Sequence, residues 1–261
     1  MKNTDMYITI ADRFVLGKNI GEGSFGTVHI GYDNKSKKKV AVKLEHKNTK
    51  IPLLKHEYNV YRTIQDKCSS PKLYGFYEED EYSILIIELM TLLPQVNDKY
   101  MPMNVKKLAV DLIGQLKIFH DANLVFCDVK PQNIVINSKG KYCLIDYGLC
   151  RPVSTNEKKI VGTAKFMSIN GHIGTISYKD DLESLGYVMI YLIKGKLPWC
   201  DVKYDSKKDM LEKVYSIKVN TTIETLCSGM PEQVLRFFSH IHSIEEDEKI
   251  NYKYLMRCLS S

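Results

Sequence analysis

Three polar residues and a later acidic triplet form the pattern with the most chemical content in this chain. Asp128, Lys130 and Asn133 precede the triplet at residues 146–148, which begins with Asp146. Phosphoryl transfer from a nucleotide needs a carboxylate to accept the proton of the attacking hydroxyl, a cation to offset phosphate charge, and oxygen ligands for magnesium. We assign these roles to Asp128, to Lys130 and to the pair of Asn133 and Asp146. A lone aspartate is more often a solvated surface charge, so the assignment depends on the whole set.

The segments around this set predict how its members are positioned. Residues 134–137 and 142–145 form two short apolar runs that are joined by Ser138, Lys139 and Gly140. Such a pattern predicts a β-hairpin. A hairpin would bring Asn133 and Asp146 to the same end of the two strands. Asn133 is also close to Asp128 in sequence.

A glycine-rich segment near the N-terminus predicts a second part of the site. The spacing G-x-G-x-x-G also occurs in dinucleotide-binding folds, where it opens a helix. Here apolar residues alternate with small or polar ones after the glycines, which predicts a strand. A backbone without Cβ atoms can approach phosphate groups closely. We expect the nucleotide to contact Ile20, Gly21, Gly23, Ser24, Gly26 and Val28.

A lysine on a strand and a glutamate on a helix complete the predicted nucleotide site. Residues 40–43 read as a third strand that carries Ala41 and Lys43, and residues 52–65 read as a helix that contains Glu57. In such an arrangement the lysine contacts the α- and β-phosphates and the glutamate holds it. The alternative is that both are ordinary exposed charges. Residues 82–89 predict a buried strand with Ile87 at its interior end, after which Glu88 and Met90 offer backbone groups to adenine.

Together these motifs resemble the casein kinase I group of serine/threonine protein kinases over nearly the whole chain. Features that resemble this group in particular lie at residues 43–45, 162–165, 168–170, 180–187 and 197–199. Vaccinia-related kinases are the nearest alternative, because they share a tyrosine at position 147 and lack an arginine where Cys127 stands.

The resemblance implies an α+β fold of two lobes in a single kinase domain over residues 1–261. The N-lobe, about 1–88, would be a small antiparallel sheet with one helix, and the C-lobe, about 89–261, would be mainly helical. Helical apolar spacing places C-lobe helices at 103–122, through 182–192, at 231–242 and at 251–259. Asp181 would accept hydrogen bonds from the backbone of the catalytic loop.

The resemblance also implies an activity and its partners. We expect transfer of the γ-phosphate of ATP, with Mg²⁺, to serine or threonine of acidic or already phosphorylated proteins. Lys165 is expected in the site that binds the anionic group of the substrate. Three departures, a changed hinge segment at 91–94, Phe126-Cys127 before Asp128 and a short loop at 149–161, leave open a catalytically inactive kinase that acts as a scaffold. Without an arginine at Cys127, control by loop phosphorylation is not expected.

Composition agrees with an intracellular globular enzyme. The 261 residues carry a net charge of +6, which favours acidic partners, but the basic residues are dispersed and nucleic-acid binding is not expected. We find no run of eighteen apolar residues and no signal-peptide pattern, so we expect no membrane association and a location in the cytoplasm or nucleus. Seven scattered cysteines predict free thiols. We expect a monomer.

Overall fold

The structure is a computed structural model whose chain divides into two compact units. The first comprises residues 1–91 with 146–148, and the second comprises residues 92–145 with 149–261. The structure describes residues 8–23, 26–65, 67, 69–96, 99–100, 104–153, 158–245 and 248–260. The expected α+β class is confirmed, with an antiparallel sheet in the N-terminal region and helices in the C-terminal region.

The first unit is built on a six-stranded antiparallel sheet with one helix, α1 (Leu54–Ile64). Its strands run in the order β1-β2-β3-β4-β6-β5. They span Thr9–Ile10 (β1), Phe14–Gly23 (β2), Gly26–Asp33 (β3), Lys38–His46 (β4), Leu73–Glu78 (β5) and Tyr82–Glu88 (β6). The strand predicted after the glycines is confirmed as β3. The strands predicted at 40–43 and 82–89 and the helix predicted at 52–65 are confirmed to within three residues at their ends, whereas β1 and β5 were not anticipated.

The alternation of side chains along β4 places the core residues and Lys43 on opposite faces of the sheet. Val40 and Val42 on β4 pack with Ile84 and Ile86 on β6 in a buried cluster. Successive side chains of a strand point to opposite faces, so Lys43 lies on the face opposite this cluster. The hydrophobic pattern therefore fixes which face of the sheet carries the lysine.

The N-terminus of α1 is held by a residue of β4. Glu45 is buried, and its carboxylate accepts hydrogen bonds from the backbone N–H groups of Leu53 (2.8 Å) and Leu54 (3.1 Å). These donors have no partner within a helix, and a carboxylate there also interacts favourably with the helix dipole. Glu45 thus replaces the local capping side chain that Leu53 cannot supply.

The second unit is mainly helical, with short strands. The strands are β7 (Thr91–Leu92), β8 (Gln95–Val96), β9 (Lys99–Tyr100), β10 (Ile134–Ile136) and β11 (Tyr142–Leu144). The helices are α2 (Val105–Asp121), α3 (Ile169–His172), α4 (Tyr178–Lys194), α5 (Lys207–Asn220), α6 (Ile223–Cys227), α7 (Glu232–Ser243) and α8 (Tyr252–Ser260). The predicted hairpin is confirmed, with Ile134 paired to Leu144.

Two apolar helices form the centre of this unit. On α2, four members of the predicted stripe, Leu108, Leu112, Leu116 and Phe119, are fully buried, whereas the fifth, Val105, is half-buried. A Cβ added at Gly186 of α4 would lie 2.4 Å from a ring carbon of Phe238 on α7, so a side chain there would push the two helices apart. The predicted helices α2, α4, α7 and α8 are confirmed, whereas α3, α5 and α6 were not anticipated.

Candidate active site

The first unit gathers a lysine and two carboxylates. The Nζ atom of Lys43 lies 2.6 Å from Oε1 of Glu57 on α1 and 3.1 Å from Oδ1 of Asp146. Burial alone would lower the pKa of Lys43, but attraction to Glu57 and Asp146 outweighs it and raises the pKa above its usual value. Glu57 also accepts a hydrogen bond from the backbone N–H of Tyr147, at 3.3 Å. Lys43 is therefore held as a fixed positive charge.

The glycine segment forms the end of the hairpin between β2 and β3. Gly23 pairs with Gly26, and Gly21 pairs with Val28. Gly26 has a φ of +138°, and a Cβ there would lie 2.0 Å from the carbonyl oxygen of Leu44, so the fold itself requires this glycine. A Cβ on Gly23 would meet no atom of the described residues within 4 Å. Gly23 therefore leaves room for a ligand, while Ser24 lies outside the described residues.

Three of the residues predicted to contact the nucleotide, Val28, Ala41 and Ile87, lie on the face of the sheet that carries Lys43. Val28 is directly opposite Lys43, and Ala41 is directly opposite Ile87. Ala41 and Ile87 are buried, whereas Ile20 on β2 is 48% exposed. This distribution gives the lysine an apolar surround on its own face.

The two residues whose backbone is predicted to contact adenine lie at the end of β6 (Glu88) and two residues beyond it (Met90). The N–H of Glu88 donates to the carbonyl of Lys72 (2.8 Å), and the Glu88 side chain accepts from the N–H of Lys72 (3.2 Å). The Glu88 N–H is therefore committed to the sheet. Met90 follows the strand and is half-buried.

In the second unit, Asp128 is the centre of a dense set of polar contacts. Its Oδ2 lies 2.6 Å from Nζ of Lys130, and its Oδ1 accepts a hydrogen bond from the Thr163 hydroxyl at 2.7 Å. The Lys130 ammonium also donates to the Thr163 hydroxyl oxygen at 3.2 Å. Asn133 donates its amide to the Asp128 backbone carbonyl (3.0 Å) and to Oδ2 (3.2 Å). Asp128 is buried, so its carboxylate is fixed in orientation.

The backbone just before Asp128 is strained, and hydrogen bonds to a residue distant in sequence hold it in place. Cys127 has a φ of +71°, a left-handed conformation that costs energy for a residue other than glycine. Asp181 accepts hydrogen bonds from the N–H groups of Phe126 (2.7 Å) and Cys127 (2.9 Å), as the family resemblance implied. His120 contacts the same Asp181 carboxylate at 2.9 Å, which the sequence did not reveal.

The Cys127 thiol is not a nucleophile in this setting. Burial is the main cause that raises the pKa of this thiol, and the nearby Asp181 carboxylate raises it further. The thiol therefore stays protonated near neutral pH. None of the six cysteines in the described ranges forms a disulfide bond there, and Cys68 lies outside these ranges.

Lys165, the predicted anion-binding residue, is half-buried beside aromatic rings. Its Nζ lies 5.1 Å from the centre of the Tyr191 ring, and its backbone carbonyl accepts the indole N–H of Trp199 at 2.7 Å. Within the described part of the chain no carboxylate forms an ion pair with it. Its charge remains available to an anionic ligand.

The structure adds a site residue that the sequence analysis did not assign to the site. Thr163 is one of three hydroxyl residues in the loop, with Ser154 and Thr155, that could accept a phosphate. Thr163 instead bridges Asp128 and Lys130, and the other two lie outside the described residues. No local pattern signals this contact, because it joins residues 35 positions apart.

The residues predicted to bind magnesium fit oxygen ligation of such an ion. Asn133 uses its amide nitrogen toward Asp128, which leaves its side-chain oxygen as the ligand atom. Asp146 is 41% exposed and has a second carboxylate oxygen besides the one at Lys43. The described residues contain no cluster of three or more His, Cys, Asp or Glu side chains suited to a metal. Mg²⁺ commonly completes a sparse protein ligand set with waters and substrate phosphates.

None of the helices in the described ranges is both long and apolar enough to span a bilayer.

A comparison with protein families agrees with this chemistry. The family model described as protein kinase domain matches residues 14–257, which include both the glycine segment and the residues around Asp128 that are predicted to be catalytic. Phosphoryl transfer from ATP to protein is the reaction of that family. The chain belongs to the protein kinase family.

Proposed function

We propose that this protein is a serine/threonine kinase of the casein kinase I type that uses ATP with Mg²⁺. The observation that carries the proposal is the arrangement of Asp128, Lys130, Asn133 and Thr163, in which each polar side chain contacts at least one other. A scaffold without catalytic activity would not need this arrangement or the charged pair of Lys43 and Glu57.

The second unit supplies the groups for the transfer step. Asp128 accepts the proton of the substrate hydroxyl as its oxygen attacks the γ-phosphorus, and the bond to the oxygen that bridges the β- and γ-phosphates breaks to release ADP. Lys130 lies beside Asp128 and offsets charge on the transferred group. Thr163 orients both side chains, since its hydroxyl contacts each of them.

The first unit supplies the groups that hold the nucleotide. Lys43 contacts the α- and β-phosphates, and Gly21, Gly23 and Gly26 allow backbone N–H groups to approach them. Asp146, together with Asn133, holds Mg²⁺, which when bound neutralises phosphate charge. We propose that both sets of groups act on the same nucleotide.

An acidic or phosphorylated substrate is supported by charge. The chain carries a net +6, and Lys165 has no ion-pair partner among the described residues. A charge-assisted hydrogen bond to phosphate contributes about 1.5–3 kcal/mol, but an exposed pair contributes far less. Lys165 is half-buried against Tyr191, a position between these limits.

The substrate preference is tested by Lys165→Ala with two peptides. We expect roughly tenfold lower kcat/KM for a peptide with a phosphoserine upstream of the target, and little change for the unphosphorylated peptide. The control is Lys196→Ala, because Lys196 is 72% exposed on the same unit. An equal loss on both peptides would mean that Lys165 supports the loop and does not bind phosphate.

The activity is tested with purified protein, labelled ATP, magnesium, casein and matched peptides that present serine, threonine or tyrosine. We expect transfer to serine and threonine, and Asp146→Asn should remove at least about 10³-fold of it. The matched control is Asp201→Asn, since Asp201 is 81% exposed and pairs only loosely with Lys196. ATP binding without transfer by the wild type would support the scaffold alternative, and transfer to tyrosine alone would contradict the serine/threonine assignment.

A further inference from the structure

A lysine on α5 is buried away from any carboxylate contact within the described residues. Lys218 is 2% exposed, and its Nζ donates to the backbone carbonyl of Ala164 at 2.8 Å and to that of Met167. The same nitrogen lies 3.2 Å from Nε2 of His172. A buried lysine is expensive, so a residue of this kind needs a reason beyond filling space.

The two carbonyls belong to one tight turn, which we call the 163–167 turn. Within it, the carbonyl of Thr163 accepts hydrogen bonds from the N–H groups of Phe166 and Met167, both at 2.9 Å. Lys218 contacts carbonyls near both ends of the turn, and the Trp199 indole holds the carbonyl of Lys165 between them. The turn is thus fixed from outside by hydrogen bonds to its backbone.

Aromatic rings complete the surroundings of the lysine. Its Nζ lies 4.8 Å from the centre of the Tyr187 ring and 4.9 Å from that of Trp199. Such contacts stabilise a desolvated cation. The lysine is therefore aimed at the turn by α5 and enclosed by α4 and the segment after it.

The turn begins at the residue that touches the catalytic carboxylate. The Thr163 hydroxyl donates to Asp128, and its position depends on the backbone that Lys218 holds. Just before it, Gly162 has a φ of +101°, and a Cβ there would lie 2.4 Å from the carbonyl oxygen of Cys127. The turn and the catalytic loop are consequently packed without space for adjustment, and a shift of one moves the other.

We propose that Lys218 is a positioning residue for phosphoryl transfer, which fixes the 163–167 turn and through it the Thr163 hydroxyl at Asp128. This rests on the proposed kinase function. Lys218 does not touch substrate in this scheme, and it acts by keeping reacting groups in register. Misplacement of reacting groups by about 1 Å costs about a hundredfold in rate.

The kinetic test compares Lys218→Met with Thr163→Val and with the double variant. Lys218→Met should lower kcat at least about tenfold while the KM for ATP stays within about twofold. The double variant should be no worse than the poorer single variant within about threefold, because both changes disturb one contact. Lys213→Met, an exposed change on the same helix, is the matched control.

Multiplicative losses in the double variant, or an unchanged kcat in Lys218→Met, would overturn the proposal. If Lys218→Met does not fold, Lys218→Gln replaces it in the same cycle, with the same criterion. Gln keeps a neutral donor for one carbonyl and should show a smaller loss that again does not multiply with Thr163→Val.

Amide hydrogen exchange provides a readout that does not require activity. In the Lys218 variant, amides of the 163–167 turn should exchange at least about tenfold faster, while those of α2 should keep wild-type protection. Unchanged exchange in the turn would refute the positioning role even if the wild type transfers no phosphate. Inactive wild-type protein with faster exchange in the variant would contradict the kinase proposal alone.

Discussion

Two lysines with little exposure to solvent, one in each unit, are held by opposite kinds of partner. Lys43 is paired with the carboxylates of Glu57 and Asp146, which raise its pKa. Lys218 contacts carbonyl oxygens, a histidine and two aromatic rings, and burial lowers its pKa to about 7. The Glu183 carboxylate opposes this fall only in part.

The difference shows what each lysine can do. A cation between two carboxylates stays charged at every physiological pH, as a phosphate-binding group must. A lysine held by neutral groups can still donate hydrogen bonds to backbone carbonyls, but whether it is charged depends on the pH. In our proposal the charge of Lys43 binds a ligand, whereas the hydrogen bonds of Lys218 position a part of the protein itself.

The largest expected effect is at the charged pair. Lys43→Met should lower kcat/KM for phosphoryl transfer by about 10²- to 10³-fold, because it removes a fixed charge from the nucleotide site. Steady-state kinetics at saturating peptide measure the loss. Lys55→Met, a change at a 71% exposed lysine of α1, should leave kinetics unchanged. A Lys43→Met variant that retained a tenth of the activity would contradict the role we assign to Lys43.

A smaller effect is expected when Lys43 keeps only one carboxylate. Glu57→Gln preserves shape but removes one of the two negative charges, so kcat/KM should fall about tenfold and the pKa of Lys43 should fall. Activity of this variant should therefore decline at lower pH than that of the wild type. A pH–rate profile between pH 7 and 9.5 tests this, and superimposable profiles would show that Asp146 alone holds the charge.

The pH dependence of stability should distinguish the two lysines. The folded pKa of Lys218, about 7, is below its unfolded value, so between pH 7 and about 10.5 the unfolded chain binds the extra proton. This group therefore makes stability rise with pH in that window, by at most about 1.4 kcal/mol per pH unit. Lys43 has a raised pKa and adds no slope there, since it is protonated in both states.

Denaturant unfolding of the wild type, Lys218→Met and Lys43→Met between pH 7 and 9.5 measures this slope. Lys218→Met alone should remove the rise, and a wild-type slope in that variant would show that Lys218 stays charged. The groups that face Lys218 should not interfere: burial lowers the pKa of His172 to about 4 and raises that of Tyr187 well above its usual value. Glu183 is the remaining charged neighbour.

The smallest effect is expected for removal of phosphate from the loop, which should leave activity essentially unchanged. Because Lys218 and Trp199 hold the 163–167 turn from within the protein, a phosphate on the loop is not needed to order it. The chain also has Cys127 at the position where kinases that bind such a phosphate are expected to have an arginine. Phosphatase treatment of the purified kinase should leave activity within about twofold. A large loss would mean that a phosphate contributes to the active turn.

The sequence revealed residues whose chemistry is encoded by local spacing. The hairpin after Asn133, the strand that carries Lys43 and the helix that carries Glu57 all follow from alternation or apolar periodicity. The same signals are weak for α5, whose apolar residues spread around much of the helix and of whose residues only Val214 and Lys218 are buried. From the sequence alone, the lysine at position 218 cannot be distinguished from a lysine on the protein surface.

Contacts between distant residues were also beyond reach from sequence. Thr163 and His120 were missed because their partners, Asp128 and Asp181, are 35 and 61 positions away. Hydrogen bonds of this kind depend on how the chain returns to itself, which composition and periodicity do not record. Asp181 was anticipated only through the resemblance to a family.

The double attachment of α1 to β4 has a consequence for inhibitor design. Glu45 holds the first turn of this helix, and Lys43, two residues earlier on the same strand, holds Glu57 one turn further along. A compound that displaces α1 must break both attachments and leave a buried carboxylate unpaired, which is costly. Compounds that accept the helix where it stands should therefore bind this kinase more tightly than compounds that require it to move.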